Sequence, residues 1–225
     1  MAVRNIVILT GAGISAESGV PTFRGPDGLW EGHRVEDVAT PQAFRRNPVL
    51  VQRFYDARRA ALAAVRPNAA HRALARLDAE WTGDFLIVTQ NVDDLHERGG
   101  AQRLLHMHGE LQRARCTACG AAPEWAGPLS GEPPCPRCGE PRLRPDIVWF
   151  GEMPYHMDVI EAAIAAADLF VAIGTSGAVY PAAGFVSLAA AAGAHTLEIN
   201  LDRSAGTSLF DEARHGPAGT LVPAL

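Results

Sequence analysis

The sequence predicts an α/β fold in which a doubly wound parallel sheet carries a smaller inserted lobe. Short runs of Val, Ile, Leu and Phe, each ending in a small or polar residue, predict buried parallel strands at 5–10, 85–89, 169–173 and 196–200. Alanine-rich stretches of helical character separate these runs, at 69–80, 157–167 and 182–192. Strands that alternate with helices in this way are typical of a doubly wound sheet.

Two segments interrupt this alternation and predict the inserted lobe. Residues 30–67 contain helical segments with no strand between them, and residues 113–144 contain all four cysteines with little apolar periodicity. We therefore predict a large and a small domain. The large domain is formed by 1–30, 75–112 and 146–225, and the small domain by a helical insertion at 31–74 and a cysteine-containing module at 113–145.

The composition excludes several classes of protein. The 225 residues are 48% hydrophobic and 20% charged, which is ordinary for a globular protein and excludes a disordered chain. A net charge of −5 argues against general binding to nucleic acid or to an anionic membrane. The uncharged stretch at 169–194 is interrupted by Gly and Pro, so it predicts buried core and not a membrane span. Because the first residues predict a strand and not an export signal, we expect a cytoplasmic protein.

The four cysteines form two C-x-x-C pairs, Cys116 with Cys119 and Cys135 with Cys138, and fifteen residues separate the pairs. This spacing is typical of a structural zinc site with four thiolate ligands. A redox pair would instead require one C-x-x-C beside a βαβ unit, whereas here two pairs lie in a loop region. A closed four-sulfur site has no open position for a substrate, so we expect the zinc to stabilise the small lobe and to take no part in chemistry.

Polar and glycine-rich clusters follow the predicted strands, which is where ligands bind in a doubly wound sheet. Gly11-Ala12-Gly13 opens a G-x-G-x-x-G/A pattern, which predicts a dinucleotide-binding turn, and a tight structural turn is the alternative. The acidic residue that a hydride-transferring dehydrogenase carries about twenty positions later is missing. The motif therefore favours a dinucleotide site of another kind.

A second polar cluster, Gln90-Asn91-Val92-Asp93, follows the second predicted strand. Its amides and carboxylate suit hydrogen bonds to a sugar or to an amide ligand, and a helix cap is the alternative. His96, His106 and His108 lie in the same stretch. A histidine that faces the crevice would be the natural proton acceptor near neutral pH, although a lone histidine is more often a packed or surface residue.

Seven ordered motifs together resemble the sirtuin family, and most closely its bacterial CobB type. They extend from about residue 7 to about residue 222 and are GAGISAESGVPTFRG, TQNVDDLH, HMHGEL, the paired C-x-x-C, RPDIVWFGE, GTSGAVYPAAG and LEINLD. The resemblance implies a Rossmann-like large domain, a small lobe with a zinc module, and NAD consumed as a co-substrate. It also implies an activity, the removal of acetyl, and also succinyl or malonyl, groups from lysine side chains of peptides and proteins. The products would be nicotinamide, O-acyl-ADP-ribose and free lysine.

The resemblance also implies roles for individual residues. His108, directly before Gly109, matches the catalytic base, and Asn91 and Asp93 match further catalytic residues. Together with Gln90, Asn91 and Asp93 match the residues that surround the nicotinamide and its ribose. The residues matching the phosphate and nicotinamide side are Gly11, Ala12, Gly13, Glu17, Thr22, Phe23 and Arg24. Those matching the adenosine side are Gly174, Thr175, Ser176, Asn200, Leu201, Asp202 and Ala218. Val148, Phe150 and Gly151 lie in a segment that resembles the strand on which the substrate peptide pairs.

Tyr55 and Arg58 narrow the expected substrate. They lie three positions apart in a segment of helical character, so both would project from one face. Taken alone, this pair is typical of a surface arginine beside a half-buried tyrosine. In CobB-type and related sirtuins, a Tyr-x-x-Arg in this insertion binds the carboxylate of succinyl- or malonyl-lysine, and Arg59 is an ambiguous neighbour here.

Two other functions remain open at this point. Mono-ADP-ribosyl transfer would use the same NAD site with an external nucleophile. A non-catalytic NAD-sensing zinc-ribbon module would keep the binding residues without turnover, although the presence of His108 argues against it.

Overall fold

The computed structural model describes residues 3–22, 30 and 32–225. The strands in this part of the chain are β1 (Ile6–Thr10), β2 (Phe85–Thr89), β3 (Leu104–His106), β4 (Gly109–Cys116), β5 (Leu143–Ile147), β6 (Leu169–Ile173), β7 (His195–Asn200) and β8 (Glu212–His215). The helices are α1 (Gly13–Ala16), α2 (Val35–Val38), α3 (Pro41–Arg46), α4 (Pro48–Ala61), α5 (Ala69–Glu80), α6 (Leu95–Gly99), α7 (Met157–Ala165), α8 (Phe185–Ala191) and α9 (Ala218–Leu221). Short 3-10 helices lie at Ala182–Gly184, Thr207–Leu209 and Val222–Ala224.

Six of these strands form a parallel sheet in the order β3-β2-β1-β6-β7-β8. This is the strand order of a Rossmann-like doubly wound sheet, and it confirms the predicted fold class. The four strands predicted from the sequence are the central ones. The edge strands β3 and β8 are only three and four residues long and partly exposed, so they lack the continuous apolar run by which the others are recognised.

The sheet is buried on both faces because alternate side chains of each strand point to opposite sides. In β1, Ile6 and Ile8 pack on one face against α5, and Val7 and Leu9 pack on the other face against α7 and α8. A strand buried on both faces favours apolar residues at successive positions, which explains the unbroken IVIL run. Among the described residues, no helix combines the length and the apolar character needed to cross a membrane.

The small lobe has two parts with separate cores. Helices α2, α3 and α4 surround a cluster that includes Tyr55, Leu111, Ile147 and Trp149, so this helical insertion packs on the two-stranded antiparallel sheet of β4 and β5. Cys116 is the last residue of β4, and the other three cysteines lie in the segment between β4 and β5. Cys116 and Cys135 belong to a small core cluster with the buried Leu129. β4 begins before residue 113 and β5 ends after residue 145, so the two strands extend past both predicted boundaries of the cysteine-containing module. The division into two domains stays a prediction.

Candidate active site

The loop after β1 packs against the loop after β6, at the point where the strand order reverses. The N–H groups of Gly11 and Gly13 donate to the carbonyl oxygens of Ile173 and Gly174, at 3.0 and 2.8 Å. A Cβ atom on Gly11 would lie 2.7 Å from the Gly174 oxygen, and one on Gly13 would lie 2.7 Å from the Gly174 Cα. Only glycine permits this approach, so both glycines of the motif are needed for the packing of the two loops, whatever binds beside them.

A buried chain of hydrogen bonds connects α1 with the segment that follows β2. Asn91 Nδ2 donates to Ser15 Oγ at 3.1 Å, and Ser15 Oγ donates to Asp93 Oδ2 at 3.0 Å. The other Asp93 oxygen accepts from the N–H of Leu95 at 3.1 Å, which is the role that the helix-cap alternative describes. Burial raises the pKa of the Asp93 carboxyl, although its hydrogen bonds lower it. Asn91 and Asp93 therefore form one polar unit at the carboxyl end of β2.

Two buried histidines lie behind this polar unit. The rings of His71 and His96 are 4.9 Å apart between centroids, with His71 Nε2 3.4 Å from Ser15 Oγ and His96 Nε2 3.0 Å from Thr10 Oγ1. Burial lowers the pKa of His71 to about 4, and it lowers the pKa of His96 well below the usual value. Both imidazoles are therefore too weakly basic to accept a proton near neutral pH.

His108 is oriented as a proton acceptor. Its Nδ1 lies 3.1 Å from the Gln90 carbonyl oxygen, which can only accept, so Nδ1 carries the proton of the neutral ring. Nε2 is then left with a free lone pair, and no described residue makes a hydrogen bond to it. Burial lowers the pKa of His108, although the bond to Gln90 raises it. The ring is consequently neutral, and able to act as a base, near neutral pH.

His106 has both ring nitrogens engaged. Nδ1 lies 3.0 Å from the Asn91 carbonyl oxygen, and Nε2 lies 2.6 Å from a carboxylate oxygen of Glu97. Burial lowers the pKa of His106, but the hydrogen bond and the charge of Glu97 raise it by more, so the net shift is upward. The geometry therefore distinguishes His108 from His106, although the two share one motif.

The segments that the resemblance assigns to NAD binding are connected to one another by hydrogen bonds. Thr175 accepts from Gln90 Nε2 through its hydroxyl at 3.2 Å, and from Asn200 Nδ2 through its carbonyl at 2.8 Å. Glu17 accepts from the Gly219 N–H at 2.8 Å, next to the buried Ala218, so α1 is tied to α9. Ala12 precedes α1 and is half-buried, whereas the remaining described residues of this set are exposed, namely Thr22, Ser176, Leu201 and Asp202. Phe23 and Arg24 lie outside the described residues.

The cysteine sulfurs have the spacing of a tetrahedral metal site. Cys116 Sγ lies 3.7 Å from Cys138 Sγ, and Cys119 Sγ lies 3.8 Å from Cys135 Sγ. Four thiolates at the usual Zn–S distance of about 2.3 Å are separated by about 3.8 Å at the corners of a tetrahedron. All four ligand atoms lie within 4.8 Å of one another. The donor set and its spacing therefore fit zinc and do not fit disulfides, whose sulfurs are about 2.0 Å apart.

Tyr55 and Arg58 share one side of α4, as predicted, and Arg59 points elsewhere. Tyr55 is fully buried, and the Arg58 guanidinium lies 4.3 Å from the ring centroid of Trp30, which also packs against Tyr55. Arg59 donates to the carbonyl oxygen of Leu111 at 2.6 Å and to Asp56 at 2.9 Å. Arg59 thus ties α4 to the β4–β5 sheet, whereas Arg58 lies against Trp30 on the side of Tyr55.

The segment from Val148 to Gly151 is not a strand, in contrast to the expectation. β5 ends at Ile147, and the next backbone N–H groups are already bonded, that of Val148 to His108 at 2.9 Å and that of Phe150 to Ala39 at 3.0 Å. Gly151 has a φ of +90°, which ends any extended run. The intramolecular bonds take the place of the ladder that a strand would make.

Sequence reasoning missed several polar residues of this region. Ser15 could have been predicted as a site residue, because it belongs to the GAGIS motif and lies on the helix that follows the first glycine. His71 lies on α5, far along the chain, and no local pattern connects it with Ser15. Trp149 lies between two residues predicted to contact substrate, and its indole N–H donates to Tyr55 Oη at 3.0 Å.

Comparisons with protein-family models and with known proteins agree on one family. Residues 11–181 match the model of the Sir2 family. A protein of Bdellovibrio bacteriovorus named NAD-dependent protein deacylase is 59% identical over 98% of this chain and 94% of its own length. A protein of Vibrio parahaemolyticus with the same name is 57% identical over 99% of this chain and 93% of its own length.

Solved structures give the same result. A crystal structure of a Sir2 homologue in complex with NAD superposes with a TM-score of 0.90 at 41% identity, covering 99% of this chain and 88% of that one. A Sir2 complex with a p53 peptide and NAD+ superposes with a TM-score of 0.81 at 26% identity, covering 99% of this chain and 92% of that one.

Proposed function

The chain belongs to the Sir2 family, and from this membership we propose that it removes acyl groups from protein lysine side chains while consuming NAD. The products are nicotinamide, O-acyl-ADP-ribose and free lysine. The observation that carries the proposal is the orientation of His108, whose Nε2 is left free as an acceptor next to the buried Asn91–Ser15–Asp93 chain. Relatives that match nearly the whole chain are named NAD-dependent protein deacylases, which supports the same activity.

The chemistry accounts for these residue types. The acyl-lysine carbonyl oxygen is a weak nucleophile, so the bond between nicotinamide and ribose must be largely broken as this oxygen attacks the anomeric carbon. Asn91 and Asp93 hold the nicotinamide in a buried polar pocket during this step. His108 Nε2 then accepts a proton from a ribose hydroxyl, whose oxygen attacks the carbon of the former acyl carbonyl. The C–N bond to lysine then breaks and the amine leaves with a proton, after which water adds at the acyl carbon to give O-acyl-ADP-ribose. His108 is the single base in this sequence of steps.

Incubation of matched acetyl- and succinyl-lysine peptides, with and without NAD, tests the proposal. We expect deacylation only with NAD, and mass spectrometry should detect nicotinamide and O-acyl-ADP-ribose. ADP-ribose attached to the protein or peptide, without O-acyl-ADP-ribose, would instead indicate mono-ADP-ribosyl transfer. NAD binding without any turnover of either peptide would indicate a binding module.

We further propose that Tyr55 and Arg58 form the end of the acyl pocket and bind the carboxylate of succinyl- or malonyl-lysine. Both side chains are buried on one side of α4 against Trp30. Aromatic surroundings and a low local dielectric strengthen a charge-assisted bond between a guanidinium and a carboxylate. The same pocket also admits acetyl-lysine, which has no group to pair with Arg58.

The acylated peptide itself binds along Val148, Phe150 and Gly151 in this proposal. Because the N–H groups of Val148 and Phe150 are bonded within the chain, the pairing uses carbonyl oxygens of this segment as acceptors. Phe150 is 42% exposed beside these carbonyl groups.

We expect one zinc ion per chain, held by Cys116, Cys119, Cys135 and Cys138. Replacing Cys138 by Ser should release the metal, lower the melting temperature and reduce activity indirectly, because a structural zinc site contributes folding free energy. Ser130→Ala, in the same module but outside the sulfur cluster, is the matched control and should keep the metal. Elemental analysis of protein prepared without added metal or chelator measures the zinc, and its absence there would contradict the assignment.

The pH dependence of kcat/KM should report the lowered pKa of His108. Only the neutral imidazole accepts a proton, so kcat/KM should rise with pH and level off, with a midpoint below the usual histidine value of about 6.5. Burial also lowers the pKa of His71, to about 4, and that of His96 well below the usual value. A pH series with one acetyl-lysine peptide measures the midpoint, and a value above about 6.5 would argue against His108 as the base.

A further inference from the structure

Trp149 is hydrogen-bonded to the tyrosine of the proposed acyl pocket. Its Nε1–H donates to Tyr55 Oη at 3.0 Å, although the two residues are 94 positions apart in the sequence. The indole is only 2% exposed and the phenol is fully buried, so no water competes for this bond. The bond therefore fixes one of the two hydrogen-bonding roles of the Tyr55 hydroxyl.

The direction of this bond determines what Tyr55 can offer to a ligand. An indole N–H can only donate, whereas a phenol hydroxyl both accepts and donates. Because Tyr55 Oη accepts from Trp149, its own proton is directed away from the indole. Burial raises the pKa of Tyr55, and the nearby Arg58 guanidinium, which has only donors, opposes this shift. With the Tyr55 hydroxyl oriented by Trp149, Tyr55 and Arg58 both present donors, which suits a ligand with acceptors only, such as a carboxylate.

The indole is itself held in place by a charged pair. The Arg144 guanidinium stacks on its ring at 3.5 Å from the centroid and makes an ion pair with Glu152 at 2.7 Å. Glu152 also accepts from the backbone N–H of Trp149 at 2.9 Å. The ring of Phe44 packs against the indole at 5.2 Å between centroids. The donor is therefore presented to Tyr55 by a rigid surrounding and does not depend on substrate to be positioned.

We propose that Trp149 is a positioning residue for acyl-group specificity, which directs the Tyr55 hydroxyl proton toward the carboxylate of an acidic acyl-lysine. This inference rests on the proposed function of Tyr55 and Arg58. Trp149 acts through Tyr55 and makes no contact with the carboxylate. Loss of its N–H should therefore weaken the selection of succinyl-lysine and leave the removal of acetyl groups almost unchanged.

A double-mutant cycle of Trp149→Phe and Tyr55→Phe tests the coupling. The measured quantity is the ratio of kcat/KM for a succinyl-lysine peptide to kcat/KM for the matched acetyl-lysine peptide. We expect W149F to lower this ratio about 3- to 10-fold, which is the size of one neutral hydrogen bond. In the Y55F background, W149F should change the ratio by less than about twofold, because the hydroxyl through which it acts is gone. Phe44→Leu is the matched control for packing against the indole, and it should change kcat/KM equally for both peptides.

The outcomes separate this inference from the function on which it rests. If Y55F and Arg58→Met lower the ratio but W149F does not, or if W149F and Y55F are additive, the inference is wrong and the carboxylate site stands. If W149F lowers kcat/KM equally for both peptides, Trp149 contributes only packing, and the inference is again wrong. If neither Y55F nor Arg58→Met changes the ratio, the carboxylate site itself is wrong.

A spectroscopic measurement on protein with Trp149 intact covers the case in which W149F does not fold. The chain has four tryptophans, so its indole N–H signals are few in a proton–nitrogen correlation spectrum. Because Trp30 also packs against Tyr55, the Trp149 signal is assigned by sequential assignment of the folded protein and not by its movement in Y55F. We expect a succinyl-lysine peptide to shift this signal and an acetyl-lysine peptide to leave it in place. A signal that responds equally to both peptides, or to neither, would overturn the proposal.

Discussion

Arg58→Met should lower kcat/KM for a succinyl-lysine peptide about 30-fold to a few thousand-fold while leaving the acetyl-lysine peptide nearly unchanged. Arg58 is buried against Trp30, where a guanidinium and a carboxylate interact at low local dielectric. Truncating one partner of such a buried pair costs about 2–5 kcal/mol, because the remaining charge stays desolvated and unpaired. At about 1.4 kcal/mol per tenfold change, this cost gives the stated loss.

The ratio of the two kcat/KM values is the decisive measurement, since it cancels general damage to the fold or to NAD binding. Arg53→Met is the matched control, because it removes the same charge from an exposed position of α4 and should leave the ratio unchanged. Tyr55→Phe should move the ratio in the same direction as Arg58→Met but less, since it removes one neutral hydroxyl donor. An equal loss for both peptides in Arg58→Met would mean that Arg58 is structural.

His108→Ala should reduce acyl transfer about 100-fold to 10,000-fold, which is the range of a lost general base. NAD binding should remain measurable by calorimetry, because Nδ1 of His108 bonds to the Gln90 backbone and its Nε2 serves the proton transfer. The acetyl- and succinyl-lysine peptides should lose activity to the same degree, in contrast to Arg58→Met. This difference in selectivity separates a catalytic base from a residue that recognises the acyl group.

His106→Ala is the comparison for that experiment. The His106 ring bonds to the Asn91 carbonyl and to Glu97, so its removal should loosen the segment after β2 without removing the base. We expect His106→Ala to retain much more turnover than His108→Ala. Near-normal turnover in His108→Ala together with lost turnover in His106→Ala would show that the base had been assigned to the wrong histidine.

The sequence by itself determined the fold class, the family and the metal ligands. The central strands β1, β2 and β6 are recognisable because both of their faces are buried, so each carries an unbroken run of at least four apolar residues. In β7 the buried Glu198 interrupts that run, and Leu197 and Ile199 carry the apolar signal. The two C-x-x-C pairs predict zinc because each pair places two thiolates on one tight turn. These features depend on neighbours in the sequence, and a local pattern contains all the information that they need.

Tertiary structure alone decided which members of each motif have which partners. Spacing along the chain does not separate Arg58 from Arg59, and only the family resemblance separates His108 from His106. Glu97 on α6 engages His106 on β3, nine positions later, and the Leu111 carbonyl engages Arg59 across 52 positions. The bond from Trp149 to Tyr55 spans 94 positions and leaves no trace in local periodicity. Hydrogen-bond direction depends on which donor faces which acceptor in space, and spacing along the chain does not encode it.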